Sequence, residues 1–354
     1  MRAATFFDGE EWRDGVVEIV DGRMRVRDAV PDDSLPRLDG LITAGFTDHH
    51  VHLQLVDVAP LARSVLGRVV DLGANPTVVA RLAARHNSGH AVDAGEPIRA
   101  AAVATPGPSA VGPEVVLQVA DDGPTIEYAG AFLTAPGGYP SDREWAPDGS
   151  VREVIDAAQA AAAVDEMADA GAHTIKVASN TVAGPVFGDA LIRAIVDLAA
   201  ARGLPVVAHA EGPGEAQRLA GLGVASLAHA PFTERLDDAE VVRQAASVAW
   251  ISTLAIHDRP TRDVVIDNVR RFHAAGGTVR YGTDMGNGPT PAGLNPAEIG
   301  ALREAGVTGA ALLRALAPGD ARASDARLLL LPGTAPADAD PLAARLLSPD
   351  DLKV

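Results

Sequence analysis

The sequence predicts an α/β protein, a closed (β/α)₈ (TIM) barrel with a small β layer packed against it. Three observations predict it. From residue 41 onward, eight short apolar runs alternate with amphipathic helical stretches, the pattern of parallel strands joined by crossover helices. The 354 residues suffice for one such barrel and an accessory piece. Six side chains able to ligate a metal lie on or just after the strand-like runs, and a barrel builds its chemistry at the C-terminal ends of its strands.

Residues 3–7, 16–20 and 23–27 read as short strands, with Asp21-Gly22 supplying a hairpin turn. Pro31 to Pro36 is a polar loop, and this N-terminal unit, residues 1–40, is too small to stand alone. The barrel spans 41–318. Its strands are read at 41–46, 68–72, 127–133, 173–178, 204–209, 224–229, 248–254 and 278–283. Helices are expected at 76–85, 151–170, 188–202, 214–221, 237–246, 261–275 and 295–316. Gly203 and the Gly276-Gly277 pair follow two of these as stop signals. Residues 87–125, with one strand-like run at 115–119, are too long for a simple connection. They read as a structural or interface insertion on the barrel face away from the chemistry. After Pro318-Gly319 the run 326–333 resembles one more strand, within a C-terminal segment 319–354.

Composition narrows the chemistry. A formal charge of −17 argues against a nucleic-acid partner and gives no support for docking on anionic membrane. No window reaches the length of a membrane span and the N-terminus is not a signal peptide, so a cytoplasmic protein is expected, as a possible homo-oligomer acting on a small molecule. With no cysteine, a metal must be held by nitrogen and oxygen, for which the ten histidines are the main resource.

On a strand, alternate side chains share a face, so His50 and His52 point one way and His49 the other. Two imidazoles on one rigid strand can grip one divalent ion. Strand four carries Lys176 near its end, between Ile175 and Val177, where an unpaired ammonium is costly and needs a partner or a modification. His209 ends strand five, His229 strand six and Asp284 strand eight. Singly, each histidine reads as well as a core residue and Asp284 as a turn cap; jointly they read as a metal centre.

The sequence resembles the amidohydrolase superfamily, in its imidazolonepropionase-like or metal-dependent dipeptidase branch. The resemblance rests on the strand-one stretch Gly45 to His52, the strand-eight stretch Gly282-Thr283-Asp284 and the N-terminal hairpin 17–24, and it covers nearly the whole chain. It implies that residues 1–40 and 319–354 build a flanking β-sandwich, shortened here at its C-terminal side. It also implies the ligand set His50, His52, Lys176, His209, His229 and Asp284, with Lys176 carbamylated and bridging two divalent ions, most often zinc. Such ions sharing a hydroxide bring its pKa towards neutrality, and Asp284 would move its proton to a leaving amine.

The implied activity is hydrolysis of a C–N bond in an amide, cyclic amide or dipeptide-like molecule. Alternatives are a single-metal deaminase or imidazolone-type ring hydrolase, a lactone or phosphoester hydrolase, and a structural metal-binding scaffold. Three further side chains are substrate-facing candidates. Tyr139 follows strand three as an oxyanion donor or a packed loop residue. Arg143 in the same loop is a carboxylate binder or a surface ion pair, and His257 a substrate contact or an ordinary loop histidine. Glu211 and Asp48 are candidates to support and orient ligands, and His86, His90, His173 and His273 read as structural.

Overall fold

The computed structural model describes residues 1–87 and 123–353. The chain opens with β1 (Arg2–Phe7), β2 (Trp12–Val20), β3 (Arg23–Arg27) and β4 (Arg37–Ala44), then β5 (Phe46–Val51) and β6 (Leu66–Asp71). α1 (Pro76–Asn87) follows, then β7 (Thr125–Tyr128), β8 (Phe132–Thr134), β9 (Val151–Glu153) and α2 (Ala157–Asp169). The alternation is then regular: β10 (Ile175–Asn180), α3 (Asp189–Ala201), β11 (Val206–Glu211), α4 (Glu215–Gly221), β12 (Ser226–Leu227) and α5 (Asp238–Ala245). β13 (Ala249–Ile251), α6 (Thr261–Ala274) and β14 (Val279–Arg280) complete it, before α7 (Pro296–Glu304), α8 (Gly309–Leu316), β15 (Leu328–Leu331) and β16 (Arg345–Leu346).

The barrel is built as two parallel arcs. β5, β6 and β7 form one, and β8, β10, β11, β12, β13 and β14 the other, with short β9 on the free edge of β8. β7 and β8 are two pieces of one strand, bent at Gly130, whose φ is +77°. The ring closes where the His49 amide donates to the Tyr281 carbonyl at 3.0 Å and Val51 bridges Met285. Inside, Leu72, Ala129, Val207, Ala228 and Ile251 form a small apolar cluster of their own, the packed interior such a barrel needs. Among the described residues no helix is long and apolar enough to cross a membrane.

The flanking layer is one curled six-stranded sheet in the order β16-β15-β4-β1-β2-β3. Its strands alternate: Phe6, Ile42, Leu328 and Leu330 join Val17 and Val26 in a separate core, whereas Phe7, Leu41, Leu329 and Leu331 belong to the main core.

Four expected elements are redrawn. The run 41–46 is not one barrel strand: residues up to Ala44 pair in the flanking sheet with β15, and the barrel begins at Phe46. Gly45 makes the transfer, its amide donating to Arg327 O at 2.6 Å while the next amide donates to Val65 O at 3.0 Å. A Cβ on Gly45 would lie 2.6 Å from the Cα of Gly67, so the two backbones meet only because both residues are glycine. The helix expected from 151 begins at Ala157, capped by the Asp156 side chain accepting from the Gln159 amide at 2.8 Å; the preceding Val151-Arg152-Glu153 pairs as β9. The helix expected over 295–316 is broken by Gly306, at φ +83°. Lys176 stands near the start of β10 and not its end, level with Val207 and two residues below His209. The run 115–119 and His90 lie outside the described residues.

In the outer core Trp250 stacks parallel on Phe272, 3.7 Å between centroids and 8° between planes, and both are fully buried. Phe272→Ala is expected to lower unfolding free energy by about 3–5 kcal/mol, the usual cost of emptying a buried aromatic site. A urea unfolding curve checks this; a loss under about 1 kcal/mol would mean the site collapses without a cavity.

Candidate metal centre

The site begins with the alternation of β5. Asp48 and His50 turn inward together with His52, which lies one residue past the strand, while His49 turns away and packs its Nδ1 3.1 Å from Tyr281 O. Asp48 is fully buried and sews the first barrel strand to the last. Its Oδ1 accepts from the His50 and Thr283 amides, each at 3.1 Å, and its Oδ2 accepts from the Thr283 hydroxyl at 2.6 Å. Burial pushes its pKa up to about 7 against the pull of those hydrogen bonds.

Across that seam three donor atoms converge. His50 Nε2 and His52 Nε2 lie 3.3 Å apart, and each is 3.2 Å from Asp284 Oδ1. The outer nitrogens of the rings are anchored: His50 Nδ1 to Ala228 O at 2.7 Å and His52 Nδ1 to Gly73 O at 3.2 Å. A carbonyl only accepts, so both Nδ1 atoms carry the proton and both Nε2 atoms turn a lone pair inward. Asp284 Oδ2 accepts from Asn287 Nδ2 at 2.8 Å, but Oδ1 is buried without a hydrogen-bond partner. Asp284 itself sits at φ +55°, a strained conformation for a non-glycine residue. Two lone-pair nitrogens and an unsatisfied carboxylate oxygen facing one another fit a divalent cation.

The protonation states of His50, His229 and Asp284 agree with that fit, whereas at His52 burial pulls the pKa down and the hydrogen bond and charge of Asp284 raise it on balance. Burial, then the charges of Lys176 and His52, hold His50 well below the ordinary imidazole range; burial and the neighbouring His50 do the same to His229. Burial works against the Asp284 anion, yet His52 beside it, then His229 and the Asn287 hydrogen bond, hold it below the usual carboxylate range. Neutral imidazoles and an ionised carboxylate are the forms that ligate.

A second group adjoins the first. The His229 ring lies 4.7 Å from the His50 ring and 5.0 Å from the His209 ring, with its Nδ1 2.8 Å from Thr253 Oγ1. His209 Nε2 is engaged by Glu211 Oε2 at 3.0 Å, which leaves Nδ1 as its available nitrogen. The same Glu211 oxygen accepts from Asn180 Nδ2 at 2.7 Å. Lys176 rises along the barrel interior into this space. Burial pulls its pKa down to about 7, and Asp284 and Asp71 oppose that shift through charge alone.

The walls of the cleft are aromatic. On one side Phe132, Tyr139 and Trp145 pack together, with Tyr139 stacked on His209 at 5.1 Å. On the other, Phe232 and Ile256 adjoin His257, whose ring lies 4.5 Å from Phe232 and whose Nε2 is buried without a partner. Arg143 lies outside this wall, 5.7 Å from the Tyr139 ring and paired with Asp142 at 3.3 Å. His86 is buried in α1 and His173 packs edge-on to Tyr128, both away from the cleft lining.

Sequence reasoning passed over five residues here. Asp71 ends β6 and accepts from the Leu53 and Gly73 amides at 2.7 and 2.9 Å, holding the turn that anchors His52. An acidic residue inside the apolar run Val69-Val70-Asp71-Leu72 was its signal. Glu298, fully buried, accepts from the Leu254 and Ala255 amides at 2.9 and 2.7 Å and so fixes the loop bearing His257. Trp145, Phe232 and Asn287 come from loops without a periodic signature.

A model described as the amidohydrolase family matches residues 41–305. Among solved structures the chain is similar to a Xaa-Pro dipeptidase with bound methionine in the active site, at 18% identity over 94% of this chain and 93% of that chain, TM-score 0.65. It is similar also to a putative prolidase from Bifidobacterium longum, at 21% identity over 95% and 89%, TM-score 0.65. A. niger ochratoxinase matches at 17% identity over 97% and 92%, TM-score 0.68. At these identities the likeness is one of fold. No curated protein matches the chain in sequence.

Proposed function

The chain belongs to the amidohydrolase family, and from that premise we propose that it hydrolyses a C–N bond in a small amide, cyclic amide or dipeptide-like molecule with the help of divalent metal. The observation that carries this reading is the buried, unpartnered Asp284 Oδ1 facing the two inward lone pairs of His50 and His52. Those three residues would hold one ion. His209, His229 and a carbamylated Lys176 would hold a second and bridge to the first, zinc suiting the donors. Bound there, the ions would lower the pKa of an attacking water and polarise the scissile carbonyl.

The chain's own side chains do the rest. Asp284, kept anionic, takes a proton from the attacking water and returns it to the leaving nitrogen. Tyr139 and His257 meet the substrate from opposite walls, and Arg143 stands at the mouth. The prolidase, dipeptidase and ochratoxinase descriptions of the similar structures are in keeping with amide chemistry.

One observation favours a second reading, a one-ion deaminase or ring hydrolase. Among the described residues only His50, His52 and Asp284 bring histidine or carboxylate donors within 4.8 Å of one another as a set of three. Metal content separates the two. Protein reconstituted with zinc should carry close to two ions per chain by atomic emission, and His50→Ala and His229→Ala should each lower the count. One ion in the intact protein selects the second reading; undiminished occupancy in both variants would sink the site assignment altogether.

A further inference from the structure

The cleft is walled by aromatic rings in a chain that has few. Phe, Trp and Tyr together number thirteen in the whole sequence, and four of them face this one cavity: Phe132, Tyr139 and Trp145 from the stretch 132–145, and Phe232 from the segment after β12. Phe132 and Trp145 stand edge to face at 6.1 Å, and Tyr139 tilts against Trp145 at 6.0 Å, so the rings form a continuous wall beside the histidines. Phe232 forms the opposing wall, 6.0 Å from the His229 ring. Such a slot takes a flat apolar group, which gains both burial and ring contacts.

The charges in the slot point the same way. Ions at the metal centre would be taken up by the scissile amide, so a carboxylate elsewhere on the substrate needs a cation of its own, and burying it unpaired is costly. Among the described residues lining the cavity, Lys176 is the one lysine or arginine; it lies in the floor and is already committed to the metal centre. Arg143 is not part of the lining; it lies over the Tyr139 ring, 5.7 Å from its centroid, and is paired with Asp142 at 3.3 Å. What the cavity does present is the carboxylate of Glu211, about one-third exposed. Its Oε2 receives both Asn180 and His209, so Oε1 is left to repel an anion or to accept an N–H. Resting on the hydrolase reading above, we propose that the substrate carries an uncharged aryl group beside the scissile C–N bond and no carboxylate, with Glu211 as the residue that rejects the acid form.

Two ligands that differ only in this charge test it: N-acetylphenylalaninamide and N-acetylphenylalanine. Calorimetric titration of zinc-loaded Asp284→Asn protein, in which turnover is slowed at least ~10²-fold, should give at least ~10-fold tighter binding of the amide, as expected for two like charges a few ångströms apart in a partly exposed site. Glu211→Gln, which keeps a side-chain oxygen for Asn180, should bring the acid to within about threefold of the amide by removing that repulsion. Trp145→Ala should weaken the amide by about tenfold through lost ring contact, independently of Glu211. Equal or tighter binding of the acid, an undiminished preference in Glu211→Gln, or binding of neither ligand would each overturn the proposal. Turnover by the intact enzyme is read separately. An aryl amide that binds with the stated preference but is never cleaved tells against the hydrolase reading and leaves the specificity standing.

Discussion

Replacing Asp284 with Asn should lower kcat by at least ~10², with the metal content of the same sample unchanged. The substitution keeps the shape of the side chain and one oxygen for the cation; its amide nitrogen then takes the place of Oδ2, which accepts from Asn287 Nδ2 at 2.8 Å, so Asn287 gives up that bond. What disappears is the ability to take a proton. The position is held in the left-handed region, at φ +55°, which asparagine tolerates better than most residues, so the backbone should not relax. Stopped-flow or steady-state assay together with metal analysis checks it. An unchanged kcat in metal-loaded protein would remove Asp284 from proton transfer and leave it as a ligand only.

Lys176→Ala should lose most of its activity and regain part of it in millimolar acetate or propionate. Lys176 is about 1% exposed on an interior strand, and burial brings its amine to a pKa of about 7. Near neutral pH a sizeable share of that amine is therefore uncharged, the form that adds CO₂ with loss of a proton to give a carbamate. The carbamate replaces a buried cation by an anion with two oxygens, which suits a bridge between two dications and removes their repulsion. Short carboxylates can refill the space that alanine leaves. Reconstitution of apo-protein should accordingly be faster and more complete with added bicarbonate. A high-resolution map with an unmodified amine beside a single ion would overturn this and select the one-ion reading.

The parts of this protein that were legible in the sequence are those where one residue type recurs at a structural period. The barrel was legible because its helices and strands repeat, and His50 and His52 because the strand period of two puts them together. His209, His229 and Asp284 follow from the rule that chemistry sits where strands end. The height of Lys176 was not legible, because its long side chain lets it serve the site from two residues lower in the strand. The shift from sheet to barrel at Gly45 was hidden within a single apolar run, since both layers demand buried residues there. Trp145 and Phe232 reach the cleft through loop geometry, which no local pattern encodes.

The seam between the first and last barrel strands also governs when this protein can become itself. His49 meets Tyr281 across 232 residues of chain, and Asp48 meets Thr283 across 235. At ribosomal rates of about 5–20 residues per second, the first strand waits roughly 10–50 s for the partner that seals it. Until then its edge is open and its two histidines lack their carboxylate. Contacts of such separation are slow to form and leave nascent chains prone to association, so recovery of folded protein should depend on chaperones or lowered growth temperature. The cation site, straddling that same seam, cannot assemble before residue 284 has been made, and the flanking sheet closes later still, when β15 reaches β4.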